Sequence, residues 1–489
     1  HLRDRENDTG DEPDDRKHTP IVARFVDPRR PANAQLCCPY AVAVVLALST
    51  VNRIEEIVSR TQHFGRAPAV IAGVVRDGRL AYVTGVGEHP AADRATQFRV
   101  GSISKTFTAA LLLGLRDDGR LSLDDPLAAY LTDVSASVGA IPLRRLLAHA
   151  GGLQREPDGP WWERHAGVPL AQLLAGVTEQ KLTGRQYGEY HYSNLAFGLL
   201  GGVVERVSGV SWLEALTSRL LEPLGMPRTT YDPQEPYARG FVVHPWLGTL
   251  REEPRHDAAA MAPAGQLWST VEDLARWAAV LASAPPGGAL NTATVLAPAS
   301  VAEMATPAVI GDPERWSTGY GLGLQLWRRG ERVFCGHTGS MPGYLAVLCV
   351  HRPSRTAAVG FANAYTLAGT TIADVGLSIV EAVLEHEPAA PLTPWRASGP
   401  PPEDIAPLCG RWWWMGQEAQ VEWDAATGQL VMWDVPPVEG DEWRFRPVAE
   451  DRWLGVNSWN AGEILAVARD EDGEPTALDI ATFVFTRQP

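Results

Sequence analysis

The sequence predicts an α+β domain, an antiparallel sheet flanked by helices with a helical subdomain, followed by a small all-β barrel or sandwich. Three observations carry this reading. A hairpin signal, a long helical stretch and a return of four apolar strands with a closing helix fill residues 49–386. A Pro-rich stretch at 387–402 then interrupts the pattern, with prolines at 388, 391, 394, 400, 401 and 402, and reads as a linker. Beyond it, at 403–489, short alternating segments are separated by Gly or Asp turns, and nine of the 17 tryptophans lie between Trp395 and Trp459.

Residues 1–48 form an N-terminal extension, expected to be disordered. Its first 35 residues are rich in Asp, Arg, Pro and Asn and lack apolar periodicity. The apolar run at 41–48 is too short to span a bilayer. With Arg29 and Arg30 ahead of it the run could serve as a secretory core, but the long charged lead before those arginines argues against that. The expected location is cytoplasmic, with export as the alternative.

Folding signals begin near Val51. Ile54, Ile57 and Val58 recur at helical spacing, and Gly65 and Pro68 close that helix. Two apolar runs, 69–75 and 80–86, surround Asp77-Gly78, a hairpin signature. Ser102 then opens a helix that runs to Asp118 and stops at Gly119. Between Phe107 and Leu115 only Thr108 and Gly114 interrupt its apolar run, so the helix should be buried on most faces. Helical, loop-rich sequence follows to about 285. Strands are expected at 320–327, 332–335, 345–351 and 357–363, and a helix at 370–384.

With 489 residues the chain is too long for one core, and two folded domains are the natural division. Hydrophobic content of 45% and charged content of 21% suit an ordinary globular protein. A net charge of −15 argues against nucleic acid or anionic lipid as main partner, and no Lys/Arg-rich run appears. The five cysteines, Cys37, Cys38, Cys335, Cys349 and Cys409, include no CxxC pair. No HExxH is present either, so neither a metal site nor a cofactor is implied. There is no GxSxG elbow, P-loop or dinucleotide fingerprint.

The chemistry-bearing pattern is Gly101-Ser102-Ile103-Ser104-Lys105. A serine three residues before a lysine at the start of an apolar helix places hydroxyl and amine on one face. A serine nucleophile needs a base within hydrogen-bond reach, and burial would lower the Lys105 pKa enough to make it one. Tyr192 and Asn194 precede a helix over 195–207. Tyr192 could partner the lysine in proton transfer, its phenolate favoured by nearby cations, and Asn194 offers a donor and an acceptor to a substrate amide and to the lysine amine. Ser193 and Asn194 also suit a helix cap. His337-Thr338-Gly339 follows the strand at 332–335. Gly339 would permit close approach of backbone, and the N–H groups of Ser340 and Ser102 could form an oxyanion hole. The triplet equally fits a polar turn with Gly339 at positive φ. His149, within residues 146–153, reads as structural.

In this order the motifs resemble those of the penicillin-recognising serine enzymes: class C β-lactamases, DD-peptidases, D-aminopeptidases and related esterases. The resemblance covers about residues 51–385. Leu146-Leu147-Ala148-His149-Ala150-Gly151-Gly152-Leu153 and Ala264-Gly265-Gln266-Leu267-Trp268-Ser269-Thr270 add two further segments. It implies a β-lactamase/transpeptidase-like fold, Ser102 as acylated nucleophile, Lys105 and Tyr192 as proton-transfer pair and Asn194 as ligand of a substrate amide. Thr338 would face a substrate carboxylate or carbonyl, Gly339 would leave room for the substrate, and Ser340 would complete the oxyanion hole. His337 stands where β-lactamases usually carry lysine, which points toward peptide or ester substrates. Gly462-Glu463-Ile464-Leu465 and Phe483-Val484-Phe485-Thr486-Arg487 resemble pieces of the lipocalin-like domain attached to some of these enzymes. The expected function is a serine acyl-enzyme hydrolase of a D-amino-acid-containing peptide or an ester. One alternative is the penicillin-binding-protein-type thioesterases, which would take a carrier-linked peptidyl thioester and release a macrocycle. The other is a non-catalytic ligand-binding or sensor protein.

Overall fold

Apolar residues run without a break through 69–75, and such a strand must be covered on both faces. In the computed structural model of this chain, Ala69–Arg76 (β1) is buried along its first seven residues and lies inside an eight-stranded antiparallel sheet. The structure describes residues 46–88, 93–184, 188–282, 295–387, 399–436 and 442–489. Nearly all of the expected N-terminal extension and most of the expected linker at 387–402 lie outside these residues.

β1 turns at Asp77 and Gly78, both left-handed (φ 49° and 76°), into Arg79–Gly87 (β2). Its other neighbour is Thr356–Ala362 (β10), in a register that pairs Val70 with Ala362 and Arg76 with Thr356. The sheet continues through Tyr344–His351 (β9), Arg332–Met341 (β8), Gln325–Arg329 (β7), Thr318–Tyr320 (β6) and Val309–Ile310 (β5). Alternation divides β1 between two cores. Val70, Ala72 and Val74 pack with Ile54 and Val58 of Leu48–Gly65 (α1) and with Ile379, Val380 and Val383 of the closing helix Ile372–His386. Ala69, Ile71 and Val75 join the larger core on the opposite face.

That larger core is organised around Ser104–Asp117 (α2), in which every residue from Ser104 to Leu113 is buried. A helix enclosed on all sides must satisfy its polar side chains internally. Thr106 Oγ1 accepts from Trp277 Nε1 at 2.8 Å, and Thr108 Oγ1 accepts from Trp212 Nε1 at 3.1 Å and donates to the Pro263 carbonyl at 3.0 Å.

The expected helix start and two expected strands are corrected. Ser102 lies not in the α-helix but in a 3-10 turn, Gly101–Ile103, because Gly101 takes a left-handed conformation (φ 52°) before the helix proper begins. The strand expected at 320–327 is two strands, β6 and β7, separated by a turn in which Gly323 is left-handed (φ 72°). The strand expected to end at Cys335 runs on to Met341, because β9 pairs with it through His337, Gly339 and Met341. Gly339 is therefore in extended strand rather than at positive φ in a turn. Its missing side chain serves contact instead: a Cβ there would stand 1.8 Å from the Val100 carbonyl oxygen, and one at Gly101 would stand 2.6 Å from Ser340 N.

A second compact unit, separated between residues 388 and 389, is a closed eight-stranded antiparallel barrel. Its strands include Gln417–Asp424, Gln429–Asp434 and Ile464–Arg469, at the alternating segments read from the sequence. Trp412, Leu430, Met432, Phe445, Leu465 and Leu478 fill its core, and Trp412 Nε1 donates to the Leu408 carbonyl at 2.8 Å. Among the described residues no helix is long and apolar enough to cross a membrane.

Because Gly339 abuts backbone rather than a movable side chain, Gly339→Ala should lose about 1–3 kcal/mol of stability. Urea unfolding followed by circular dichroism would measure this, and an unchanged midpoint would refute the packing argument.

Candidate active site

The 3-10 turn delivers Ser102 at the start of α2, and Lys105 follows on the same face one turn later. Lys105 Nζ lies 2.9 Å from Ser102 Oγ and donates to the Ala264 carbonyl at 2.6 Å. Its side chain is fully enclosed, with the Tyr192 and Phe197 rings 5.1 and 5.6 Å from the amine. Burial penalises the ammonium form and lowers its pKa to about 7, against the opposing pull of the Glu163 and Glu156 carboxylates.

Tyr192 ends a loop that is pinned before it enters Asn194–Ser208 (α3). Ser193 caps that helix by accepting from Ala196 N at 3.0 Å, and its own N–H donates to His149 Nδ1 at 3.0 Å. The His149 ring lies 4.3 Å from that of Tyr192. Thus the cap and the site coexist at one junction, and His149 has a structural task that bears directly on Tyr192. The Tyr192 hydroxyl donates to Ser102 Oγ at 2.9 Å. Burial raises its pKa above the usual phenol value and outweighs Arg155, the cation acting on it. Burial thus holds Tyr192 as a neutral phenol, against the expected phenolate, and Lys105 is the member of the pair whose pKa lies near neutrality.

His337 on β8 is buried, its ring 6.2 Å from that of Tyr192. Its Nδ1 bonds the Thr338 carbonyl, which can only accept, so the hydrogen is on Nδ1 and Nε2 is a lone-pair acceptor without a partner. Burial, with Lys105 adding to it, depresses its pKa to about 3. His337 is a neutral imidazole. Thr338 meets Gln325 Oε1 through its N–H at 3.4 Å and its hydroxyl at 3.3 Å. Gly339 and Ser340 press on the segment from Val100 to Ser102, and a Cβ at Gly339 would come within 3.3 Å of Ser102 N.

Asn194 meets not the lysine but Glu156: its Nδ2 donates to Glu156 Oε1 at 2.8 Å. The lysine's second partner is the Ala264 carbonyl, which the sequence offered only as part of a resembling segment. Glu156 and the buried Glu163 were missed, since single carboxylates in an irregular loop carry no periodic signal. Burial raises the Glu163 pKa to about 7, with Glu156 adding to it and Lys105 opposing.

The structure brings Ser102, Lys105 and Tyr192 into direct hydrogen bonding and sets Asn194, His337, Thr338, Gly339 and Ser340 around them. A serine hydroxyl between a near-neutral amine and a phenol can lose its proton to one and receive one from the other. Residues 54–377 match the beta-lactamase family. The chain belongs to that family. Residues 401–487 match a second family, a domain of unknown function termed DUF7586. The D-alanyl-D-alanine-carboxypeptidase/endopeptidase AmpH of Escherichia coli is 30% identical over 219 residues, 44% of this chain and 56% of AmpH. The chain thus spans little more than half of that relative's length, as it does of the human putative beta-lactamase-like 1 (57%). Among solved structures, a D-stereospecific amidohydrolase from a Streptomyces species is 26% identical with a TM-score of 0.57, covering 68% of this chain and 97% of its own. SurE, at 24% identity and a TM-score of 0.55, shares the fold over 90% of this chain and 99% of its own. The relatives named here are described as a carboxypeptidase/endopeptidase and an amidohydrolase.

A lysine that must be neutral to accept a proton is inactive below its pKa. Ser102 acylation by a nitrophenyl ester should rise about tenfold per pH unit up to about 7 and then level. Tyr192→Phe should lose about 10²–10⁴-fold in rate while keeping that limb. Stopped-flow acylation rates from pH 5 to 9 would test both, and a flat profile would refute the lysine assignment.

Proposed function

We propose that the chain is a serine acyl-enzyme hydrolase of peptide-like amides, D-residue peptides included, or of esters. Ser102 is the nucleophile and Lys105 the base that takes its proton. Tyr192 passes a proton to the leaving group, and the N–H groups of Ser102 and Ser340 stabilise the oxyanion. The observation that carries this reading is Ser102 Oγ held 2.9 Å from both the Lys105 amine and the Tyr192 hydroxyl, with the amine's pKa lowered to about 7. The likeness to a D-stereospecific amidohydrolase supports the amide and D-residue terms. A fluorophosphonate probe should label Ser102, as read by peptide mass spectrometry; an unlabelled Ser102 in folded protein would overturn the proposal.

The neutral His337 supports a substrate without a required carboxylate. Where β-lactamases usually carry a lysine, this site has an uncharged ring. Converting the free C-terminal carboxylate of a peptide substrate to an amide or methyl ester should therefore change kcat/KM by less than about fivefold, whereas a site relying on a charge-assisted bond would lose about 10-fold or more.

A second reading follows the resemblance to the penicillin-binding-protein-type thioesterases, which this chain's division into two units fits: a tethered amine, rather than water, takes the acyl group. It uses the same residues through the acyl-enzyme. Peptidyl thioesters ending in D- or L-residues, with cyclic and linear products separated by mass spectrometry, distinguish the two.

A further inference from the structure

Arg99 is 1% exposed, and among the described residues its guanidinium makes one hydrogen bond, a long one from Nη2 to Gln266 Oε1 at 3.4 Å. That oxygen already accepts from Ala258 N at 3.1 Å. Nε and Nη1 have no partner. A buried guanidinium left in this way loses its hydration without a compensating acceptor. Burial lowers its pKa to about 10, with Arg255 adding to the fall and Tyr344 and Glu163 opposing it, so the group is still a cation at neutral pH. It stands at the wall of a cavity of about 770 Å³, which Arg99 lines together with the two side chains against its guanidinium. These are Gln266 and Trp268, whose ring centroid lies 5.8 Å from the Arg99 Cζ. Arg255, an exposed residue, also lines the cavity and rests on the Tyr237 ring, 4.9 Å from its centroid. None of Ser102, Lys105, Tyr192 or His337 lines it. Four carboxylates do, those of Asp232, Glu252, Glu253 and Asp257. Among the described residues none of them pairs with Arg99 or Arg255. Glu252 pairs with Arg239, Glu253 pairs with Arg164 and Arg251 at 3.0 Å each, and Asp257 accepts from the Tyr231 hydroxyl.

We propose that this cavity is a second ligand site, separate from the catalytic residues, and that it takes an organic monocarboxylate whose carboxylate is held by Arg99 with Arg255 as the second cation. The open donors on Arg99 call for an anionic acceptor, and a guanidinium matches a carboxylate in both charge and geometry. The cavity is larger than a simple ion needs and suits a small organic ligand, with the Trp268 ring, Pro233 and Pro254 as apolar wall. The surrounding carboxylates set the charge of that ligand. They repel a multiply charged group such as a phosphate dianion more strongly than a single carboxylate. The site does not depend on the acyl-enzyme reading, because no residue of that mechanism forms it.

The test titrates the full chain with benzoate, hexanoate, benzamide and phenyl phosphate by isothermal titration calorimetry, before and after treatment with a fluorophosphonate. Benzoate or hexanoate should bind with a Kd of about 1 mM or tighter, and about tenfold or more tighter than benzamide and phenyl phosphate. The carboxylate affinity should be the same in treated and untreated protein; its loss on treatment would put the ligand in the catalytic cleft and overturn the proposal. Arg99→Met keeps a side chain of similar length without donors, and Arg255→Gln changes only an exposed residue. Each should weaken carboxylate binding by about fivefold or more in protein whose circular dichroism matches wild type. Where Arg99→Met does not fold, Arg255→Gln decides. Carboxylates that bind no better than benzamide, phenyl phosphate that binds more tightly than benzoate, or wild-type affinity in Arg255→Gln would each overturn the site. Labelling of Ser102 by the same fluorophosphonate reports separately on the acyl-enzyme reading.

Discussion

The amine of Lys105 is buried in the first turn of α2, a helix enclosed on every face from Ser104 to Leu113, and most of the site's chemistry depends on that placement. An ammonium in such surroundings loses hydration that two hydrogen bonds do not replace, so its pKa falls from the usual lysine value to about 7. The same burial that costs stability brings the amine's pKa into the range where it can accept a proton. α2 can hold the amine there because its other polar groups are satisfied from neighbouring elements, by Trp212, Trp277 and the Pro263 carbonyl. The surrounding core is thus the means by which the pKa is set.

The groups nearest Ser102 are consequently neutral or nearly so. His337 and His149 are both driven below the usual imidazole range by burial, and Tyr192 is driven above the usual phenol range. His149 accepts from Ser193 N at Nδ1, which leaves its hydrogen on Nε2, whereas His337 carries its hydrogen on Nδ1. The two histidines are therefore opposite tautomers, each fixed by one backbone group. Charge returns in the loop that carries Arg155, Glu156 and Glu163, and its carboxylates counteract part of the lysine's depression.

Much of this was legible in the sequence because it rested on periodicity or short spacing. Ser102 and Lys105 share a helical face wherever the helix begins, so placing Ser102 in the preceding 3-10 turn left the pair intact. The hairpin at Asp77-Gly78 and the alternating strands of the second unit were readable for the same reason. His337-Thr338-Gly339 was misread as following its strand, because glycine signals a turn and a close backbone approach equally well, and only the pairing with β9 separates them. Glu156, Glu163 and the Ala264 carbonyl were not legible. Their importance comes from long-range packing of irregular segments, and a backbone carbonyl has no sequence signature at all.

The pairing of Lys105 with Tyr192 also constrains the second half of any acyl-transfer cycle. The group that removes the Ser102 proton during acylation must see a proton returned to Ser102 when the acyl group leaves, so one amine and one phenol serve both steps in reverse roles. Water and an amine differ in what they demand of that pair. Water must lose a proton as it attacks, and so needs the near-neutral lysine in its free form. An amine attacks through its lone pair and sheds its proton only afterwards, so it needs chiefly a dry approach and freedom from protonation of its own. The Lys105 pKa suits either acceptor near neutral pH. Selection between them therefore falls to whatever surrounds the acyl group rather than to Ser102, Lys105 and Tyr192.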